Sequence, residues 1–233
     1  MSVIHHPNLV ADGLVVYFDA ANRASHPGTG TTWTDLVGGY IGTLKNIGGE
    51  PSGPNFNSDN GGSIAFDGTN DYVQTSAPSP DGTGGFTIEF WAKFDDANNT
   101  DCMFSNYMTN HCQLVIQSNE DFHVMLGNSV AFDLPTSIVI DRWYCVSLSR
   151  IGSTLKAYVD AVQIANVSNS TDLGTSGDSY FGIQACAGGI PPPCWSWDHA
   201  FDGELAIMRW YNRGLTDAEV LQNYDAMRYR FNL

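Results

Sequence analysis

The sequence predicts an all-β protein, a sandwich of two antiparallel sheets with a short C-terminal helix. Of its 233 residues, 24 are glycine and 12% are aromatic, whereas only 15% are charged. This composition is typical of many short strands joined by tight turns, since a disordered chain would carry more charge and fewer aromatic side chains. Turn signals recur at the spacing of a β-sandwich, and no alternating strand–helix pattern indicates a parallel sheet. We expect one domain over residues 14–233, preceded by an arm, residues 1–13.

Several segments carry the residue alternation of a β-strand. In residues 86–94, Phe86 and Ile88 point to one face, and Thr87 and Glu89 point to the other. A hairpin is predicted over residues 142–159. Further short strands are predicted at Leu14–Phe18, Ser63–Phe66, Tyr72–Val73, Cys102–Tyr107, Gln113–Gln117, Phe122–Leu126, Val130–Phe132, Val162–Ile164, Tyr180–Gln184 and Glu204–Trp210.

One helix is predicted, near the C-terminus. Thr216 and Glu219 have the spacing of a capping box, in which each side chain bonds the other residue's backbone N–H. After them, an apolar face is predicted from the helical spacing of Val220, Leu221, Tyr224 and Met227. We expect this helix to cover an open part of a sheet rather than to bind a partner.

The net charge of -15 excludes several partners. Nucleic acid requires Lys and Arg for its phosphates, and an anionic membrane surface repels an acidic protein. No apolar run approaches the roughly 20 residues of a membrane span. The first residues lack the basic and apolar regions of a signal peptide, so we expect synthesis in a cytoplasm without export by the usual route.

The five cysteines have an odd count, so at least one thiol has no partner within the chain. Cys145 is predicted to be a small buried residue. The others form two local pairs, Cys102 with Cys112 and Cys186 with Cys194. Without an export signal we favour reduced thiols, although either pair could close a loop if oxidised.

Three strands end in Phe-Asp, at Asp19, Asp67 and Asp202. If these strand ends converge, the carboxylates share one edge of a sheet. Carboxylates beside Gly-rich turns supply the oxygen ligands that Ca²⁺ prefers. The alternative is that these Asp side chains make only local turns with their own backbone.

A sugar site is predicted in the Pro-rich loop bounded by Cys186 and Cys194. Sugars are bound by aromatic faces together with planar polar side chains. Trp195, Trp197 and His199 supply such groups, with Tyr107 and His111 as candidate neighbours. The alternative is that the two Trp side chains fill the core beneath the loop.

The ordered motifs resemble a laminin-G-like domain of the concanavalin A-like lectin/glucanase superfamily. The resemblance covers residues 14–227 and rests on LVVYFDAAN, GSIAFDGTNDYV, FTIEFWAKF, DRWYCVSLSRIGSTLKAYVDA and FDGELAIMRWYNRGLTDAEVLQNY. It implies a jelly-roll sandwich. It also implies a structural Ca²⁺ linking the first and last strands, with Asp19 and Asp202 as side-chain ligands and the Asp67–Asn70 turn contributing a backbone carbonyl. The family has Asp-Gly where this chain has Asp160-Ala161, so that turn is expected to differ.

The variant with this N-terminal start resembles single-domain proteins of tailed bacteriophages. The resemblance therefore implies a non-enzymatic virion structural protein, a capsid decoration or a tail-fibre or appendage component. Its expected location is the virion, with an extracellular location as the alternative. Its expected partners are other virion proteins and a host surface glycan, with a homo-oligomer left open.

Two other functions stay open. The second is a free carbohydrate-binding lectin module, and the third is a glycan-active enzyme. Glucanases of the superfamily carry paired carboxylates on one strand, and retaining chemistry needs two carboxyl groups about 5–5.5 Å apart. The strand at residues 86–94 has one acid, Glu89, and no Glu-x-Asp-x-x-Glu run occurs in the chain. We therefore expect no catalytic residues.

Overall fold

The computed structural model describes residues 7–46, 53–96, 101–106, 112–116, 122–127, 129–134, 138–174, 177–184 and 200–233. Almost all regular structure in these residues is antiparallel strand. The strands are β1 (Leu14–Asp19), β2 (Thr32–Thr34), β3 (Ile41–Asn46), β4 (Asn55–Asn57), β5 (Ser63–Asp67), β6 (Asp71–Thr75), β7 (Phe86–Phe94), β8 (Asp101–Asn106), β9 (Cys112–Ile116), β10 (Phe122–Leu126), β11 (Ser129–Leu134), β12 (Trp143–Ile151), β13 (Thr154–Val159), β14 (Val162–Ser168), β15 (Ser179–Phe181) and β16 (Asp202–Tyr211). Helix α1 covers Asp217–Met227, and short 3-10 helices cover Asp59–Gly61 and Arg228–Phe231.

Two eight-stranded antiparallel sheets form the sandwich. Sheet 1 has the order β14-β13-β12-β7-β16-β5-β4, with β1 also paired to β16. Sheet 2 has the order β11-β10-β9-β8-β15-β6-β3-β2. The predicted jelly-roll sandwich with one short C-terminal helix is confirmed. Among the described residues, no helix is long and apolar enough to span a membrane.

The alternation of β7 places its two faces in two different apolar environments. Phe90 and its alternate neighbours lie in the main core between the sheets. Trp91 points to the outer face of sheet 1, where Phe231 stacks on it with ring centroids 4.3 Å apart and Tyr224 with centroids 5.7 Å apart. The C-terminal segment therefore covers an apolar stripe that would otherwise face water.

Helix α1 begins with the predicted capping box. Thr216 Oγ1 accepts the Glu219 N–H at 3.3 Å, and Glu219 Oε2 accepts the Thr216 N–H at 2.9 Å. The prediction that Leu221 belongs to the buried face is wrong, because its side chain is 49% exposed. Val220 and Asn223 are buried instead, since residues three apart share a helix face and Leu221 is rotated by about 100° from Val220.

The strands β5 and β6 are confirmed, but they belong to different sheets. The turn between them therefore crosses the sandwich at one end instead of closing a hairpin. The start of β8, at Asp101, and the start of β16, at Asp202, lie at the same end, because the Asp202 N–H donates to Asp101 Oδ1 at 3.3 Å. We call this the acidic end.

The hairpin β12–β13 is confirmed, and the next turn is left-handed at both central residues. Asp160 has φ 51° and Ala161 has φ 60°. Two contacts of the Asp160 carboxylate hold this turn: one oxygen pairs with Arg142 at 2.6 Å, and the other accepts the Cys145 N–H at 3.0 Å. These contacts explain how an alanine is kept in a conformation that favours glycine.

Two cysteines can be placed with their side chains. Cys102 and Cys145 are both buried, and Cys145 is a free thiol. The structure does not describe the side chain of Cys112, so the Cys102–Cys112 pairing stays open. The prediction of a buried Cys145 is confirmed. Cys186 and Cys194 lie outside the described residues.

Candidate functional site

The structure brings together two of the three Phe-Asp strand ends. Asp202 and Asp67 are register partners in neighbouring strands of sheet 1. Asp19 instead faces Ile207, five residues along β16 from Asp202, or about 17 Å along the strand. Asp19 is therefore not a neighbour of the other two carboxylates.

Asp19 is held by a cation of the chain itself. Its Oδ1 accepts from Arg230 Nη1 at 2.7 Å, and its Oδ2 accepts from the Tyr17 hydroxyl at 3.0 Å. Arg230 also donates to the backbone carbonyls of Asn60, at 2.6 Å, and Gly62. This guanidinium clamps the C-terminal segment to β1 and to the segment that precedes β5.

In the β5–β6 turn, residues 67–71, the Asp67 side chain bonds its own turn's backbone, as the alternative to a metal site predicted. Asp67 Oδ1 accepts the N–H groups of Thr69 and Asn70, at 2.9 and 3.2 Å. In the same turn, Asn70 Oδ1 and Asp71 Oδ1 are buried with no hydrogen-bond partner. Orphaned oxygens of this kind fit a hard cation such as Ca²⁺. The described residues contain no metal-holding group of three or more His, Cys, Asp or Glu side chains.

Burial is the first cause of the raised pKa values at the acidic end. It raises the pKa of Asp71 to about 7, with the charge of Asp67 adding to the effect. Burial also raises the pKa of Asp101 to about 8. The hydrogen bond from the Asp202 backbone N–H lowers this pKa, whereas the negative charge of Asp202 raises it further. The pKa of Asp202 is raised by burial and then by neighbouring Asp charges, Asp95 foremost. This end of the molecule therefore concentrates carboxyl groups that are costly to ionise.

A cavity of about 360 Å³ opens on the outer face of sheet 1, near the acidic end. We call it the Glu204 pocket. Its charged lining residues are Asp59, Lys93, Asp141, Arg142 and Glu204. Its other lining residues are Asn60, Trp143, Phe231, Asn232 and Leu233.

Glu204 is the most strongly held polar group of the pocket. The residue is only 5% exposed, and Lys93 Nζ lies 2.7 Å from its Oε1. Asn57 Nδ2 lies 3.1 Å from both carboxylate oxygens, and Ser63 Oγ donates to Oε2. Burial lowers the pKa of Lys93, but its hydrogen bond to Glu204 and the nearby carboxylates outweigh this and raise the pKa. These contacts hold the Glu204 carboxylate in one position at the wall of the pocket.

Aromatic rings close one side of the pocket. Phe231 packs on Trp143 with centroids 4.8 Å apart. In the amide orientation that satisfies both of its ends, Asn60 accepts from Trp143 Nε1 at 3.1 Å. The other side carries Arg142, whose guanidinium lies over the Tyr144 ring, 4.3 Å from its centroid. The pocket thus joins an apolar surface to hydrogen-bond donors and acceptors.

The sugar site predicted from the sequence was assigned to residues other than those that line the Glu204 pocket. Trp195, Trp197, His199, Tyr107 and His111 are all outside the described residues, so the sugar site assigned to them stays a prediction. Sequence reasoning missed the Glu204 pocket because its walls come from segments far apart in the chain. The local sequence signals of the pocket were Lys93 and Glu204, each a charged residue within a mostly apolar strand.

Comparisons with known proteins agree on the fold. Residues 67–221 match the model of a family described as the concanavalin A-like lectin/glucanases superfamily. Domain 4 of AbnA, an extracellular arabinanase of Geobacillus stearothermophilus solved with arabinotriose, is similar with a TM-score of 0.70 and 16% identity, over 91% of this chain and 98% of that chain. No curated protein matches the sequence significantly.

Two further similar structures belong to longer proteins. A sialidase of Trypanosoma rangeli, in complex with sialic acid, has a TM-score of 0.65 and 15% identity, over 94% of this chain but 33% of that chain. The binding domain of botulinum neurotoxin serotype D has a TM-score of 0.63 and 12% identity, over 92% of this chain and 51% of that chain. The chain therefore spans about a third to a half of these two proteins, and such low identities establish the fold alone.

Proposed function

The chain belongs to the concanavalin A-like lectin/glucanases superfamily, and on this premise we propose that it is a non-enzymatic glycan-binding module. The binding site we propose is the Glu204 pocket. The observation that carries the proposal is the lining of this pocket, in which a held Lys–Glu pair and amide groups lie beside aromatic rings. Sugars need this combination, because their hydroxyls donate and accept hydrogen bonds while their C–H faces pack on rings.

The size and rigidity of the pocket support this use. A volume of about 360 Å³ lies within the roughly 300–1,000 Å³ range of small-molecule sites. Lys93, Asn57 and Ser63 fix the Glu204 carboxylate in place, so the pocket is organised before a ligand arrives. Preorganised groups lose less entropy on binding, which favours affinity for a flexible oligosaccharide.

The same contacts support a role without catalysis. A glycosidase needs one carboxyl group that holds a proton and a second that attacks or activates water. Glu204 is ion-paired with Lys93 and accepts three further hydrogen bonds, so groups of the protein itself already occupy both of its carboxylate oxygens. Solved relatives in complex with arabinotriose and sialic acid support glycans as the ligand class.

We place this module, as a further part of the proposal, on a virion as a capsid decoration or tail-fibre component. The support is the resemblance of the ordered motifs to single-domain proteins of tailed bacteriophages. The net charge of -15 also suits a protein displayed in many copies, since like charges oppose self-association. Sedimentation of the native source followed by mass spectrometry tests this placement. A chain that stays in the soluble fraction would contradict it and favour a free lectin.

Binding to a glycan array, followed by titration of the best ligand, tests the pocket. The test variant combines Asp59→Ala and Asp141→Asn, two exposed residues of the pocket rim, and asparagine tolerates the left-handed backbone of Asp141 at φ 61°. We expect binding to weaken by about tenfold or more, since a hydrogen bond to a charged group is worth about 1.5–3 kcal/mol. The control is Asp12→Asn, a side chain that is 86% exposed and lies outside the pocket lining. Equal binding by all three proteins would refute the site, and release of reducing sugar would refute the non-enzymatic role.

A further inference from the structure

We propose that the Glu204 pocket selects sugars that carry a protonated amine, such as oligomers of glucosamine, over neutral sugars and sugar acids. This inference rests on the proposed function and names the class of glycan that the same site takes. Its basis is the balance of charge around the cavity. The lining contains three carboxylates, those of Asp59, Asp141 and Glu204, and two cations, Lys93 and Arg142.

Arg142 does not compensate the carboxylates of the lining, because it is already paired with a group outside the pocket. Its Nη2 lies 2.6 Å from Oδ2 of Asp160, which is not a lining residue. The same guanidinium lies over the Tyr144 ring, which also holds it away from the other carboxylates. Lys93 is therefore the cation that remains for the cavity.

Lys93 is shared among several carboxylates. Its Nζ lies 2.7 Å from Glu204 Oε1 and 3.7 Å from Asp95 Oδ1. Burial lowers the pKa of this lysine, but its hydrogen bond to Glu204 and the negative charges of Glu204, Asp95 and Asp141 outweigh the effect and raise the pKa. One ammonium group compensates one carboxylate, so the cavity keeps an excess of negative charge.

No other Lys or Arg of the chain removes this excess. All ten of these residues lie within the part of the chain that the structure describes, and none of them forms an ion pair with Asp59 or Asp141. Arg230 donates to the backbone carbonyl of Asn60, next to Asp59, but its charge is paired with Asp19. Asp59 and Asp141 are both exposed, so a ligand can reach their carboxylates from solvent.

This charge balance determines which sugars the pocket favours. A protonated amine forms charge-assisted hydrogen bonds with the unpaired carboxylates, whereas a sugar acid meets charges of its own sign. Because ion pairs at exposed carboxylates are weak, we expect a preference of about three- to tenfold for the amine over a hydroxyl at the same position. Salt should reduce this preference, since it screens exposed charges.

Calorimetric titration with three tetramers of the same linkage tests the proposal, at a mildly acidic pH that protonates the amine. The tetramers are the glucosamine oligomer of chitosan, the glucose oligomer of cellulose and the glucuronic acid oligomer of oxidised cellulose. We expect the glucosamine tetramer to bind about three- to tenfold more tightly than the glucose tetramer, and the acid to bind most weakly. The ratio of the first two affinities should fall towards one at high salt and in Asp59→Asn/Asp141→Asn, and the control Asp12→Asn should keep it.

The readout is a ratio of affinities within one protein, so a change in stability or in overall affinity does not affect it. If the double variant does not fold, Asp59→Asn alone carries the test. The inference is overturned if the glucosamine tetramer binds no more tightly than the glucose tetramer, or if the ratio is unchanged in the variant. Neutral sugars that still bind beside Trp143 would then leave the glycan pocket standing, whereas a protein that binds no sugar of the array loses the proposed function itself.

Discussion

Replacing Ala161 with glycine should stabilise the protein. Ala161 has φ 60°, and a left-handed conformation costs an L-residue about 1–2 kcal/mol. Glycine adopts this conformation freely, but it loses about 0.5–1 kcal/mol more than alanine in chain entropy on folding. The difference is a gain of about 0.5–1 kcal/mol, which raises the melting temperature of a chain of this length by about 1–4 °C.

The assay is thermal and denaturant unfolding of Ala161→Gly beside a control with the same chemical change. The control is Ala165→Gly, because Ala165 lies in the extended strand β14 opposite Ala157. There glycine brings the entropic cost without any relief of strain, and it also removes a methyl group that packs against the main core, so we expect a loss of at least about 0.5–1 kcal/mol. If both variants lose the same stability, the turn is not strained at Ala161 and the reasoning is wrong.

Two further predictions concern charged groups. Glu89 and Arg209 form an ion pair in which both side chains are fully buried. Glu89→Gln leaves the Arg209 guanidinium buried without its counter-charge, so we expect the free energy of unfolding to fall by about 3–5 kcal/mol. A loss below about 1 kcal/mol in urea unfolding would contradict this. The hydrogen bond from Arg213 lowers the pKa of Glu219 to about 2. The ionised Glu219 therefore stabilises the folded protein fully above pH about 4.5, and this stabilisation is lost as the pH falls towards 2. The full pKa shift corresponds to about 3 kcal/mol in the free energy of unfolding, which solvent screening reduces to about 1 kcal/mol. In Glu219→Gln, this part of the decrease in unfolding free energy at acid pH should disappear.

Local patterns in the sequence were sufficient for the strands and the helix start. The alternation in β7 and the capping box of α1 depend on neighbouring residues only, so both were predicted correctly. Leu221 was misplaced because the buried face that contains Val220 also contains the polar Asn223 and not Leu221. Asn223 is buried because it hydrogen-bonds to the Val10 N–H and the Tyr211 hydroxyl. Those partners are distant in sequence, and no periodicity signals them.

The sites depended on register and on long-range contacts, which the sequence does not display. Three Phe-Asp ends look equivalent, yet pairing of β1 with β16 places Asp19 opposite Ile207 and away from Asp202. The Glu204 pocket joins strands to the chain's last residues, so no local motif indicates it. Asp71 was overlooked because its burial follows from the crossing of the turn between the two sheets.

The most direct test of the glycan-binding proposal is an NMR titration that follows the indole N–H signals of the six tryptophans. The signal of Trp143 is assigned with Trp143→Phe, and the titrant is the best ligand from the array. We predict that the Trp143 signal moves and saturates with the dissociation constant found by calorimetry. If only the signals of Trp195 and Trp197 move while that of Trp143 stays fixed, sugars bind at the loop predicted from the sequence, and the Glu204 pocket is not the site.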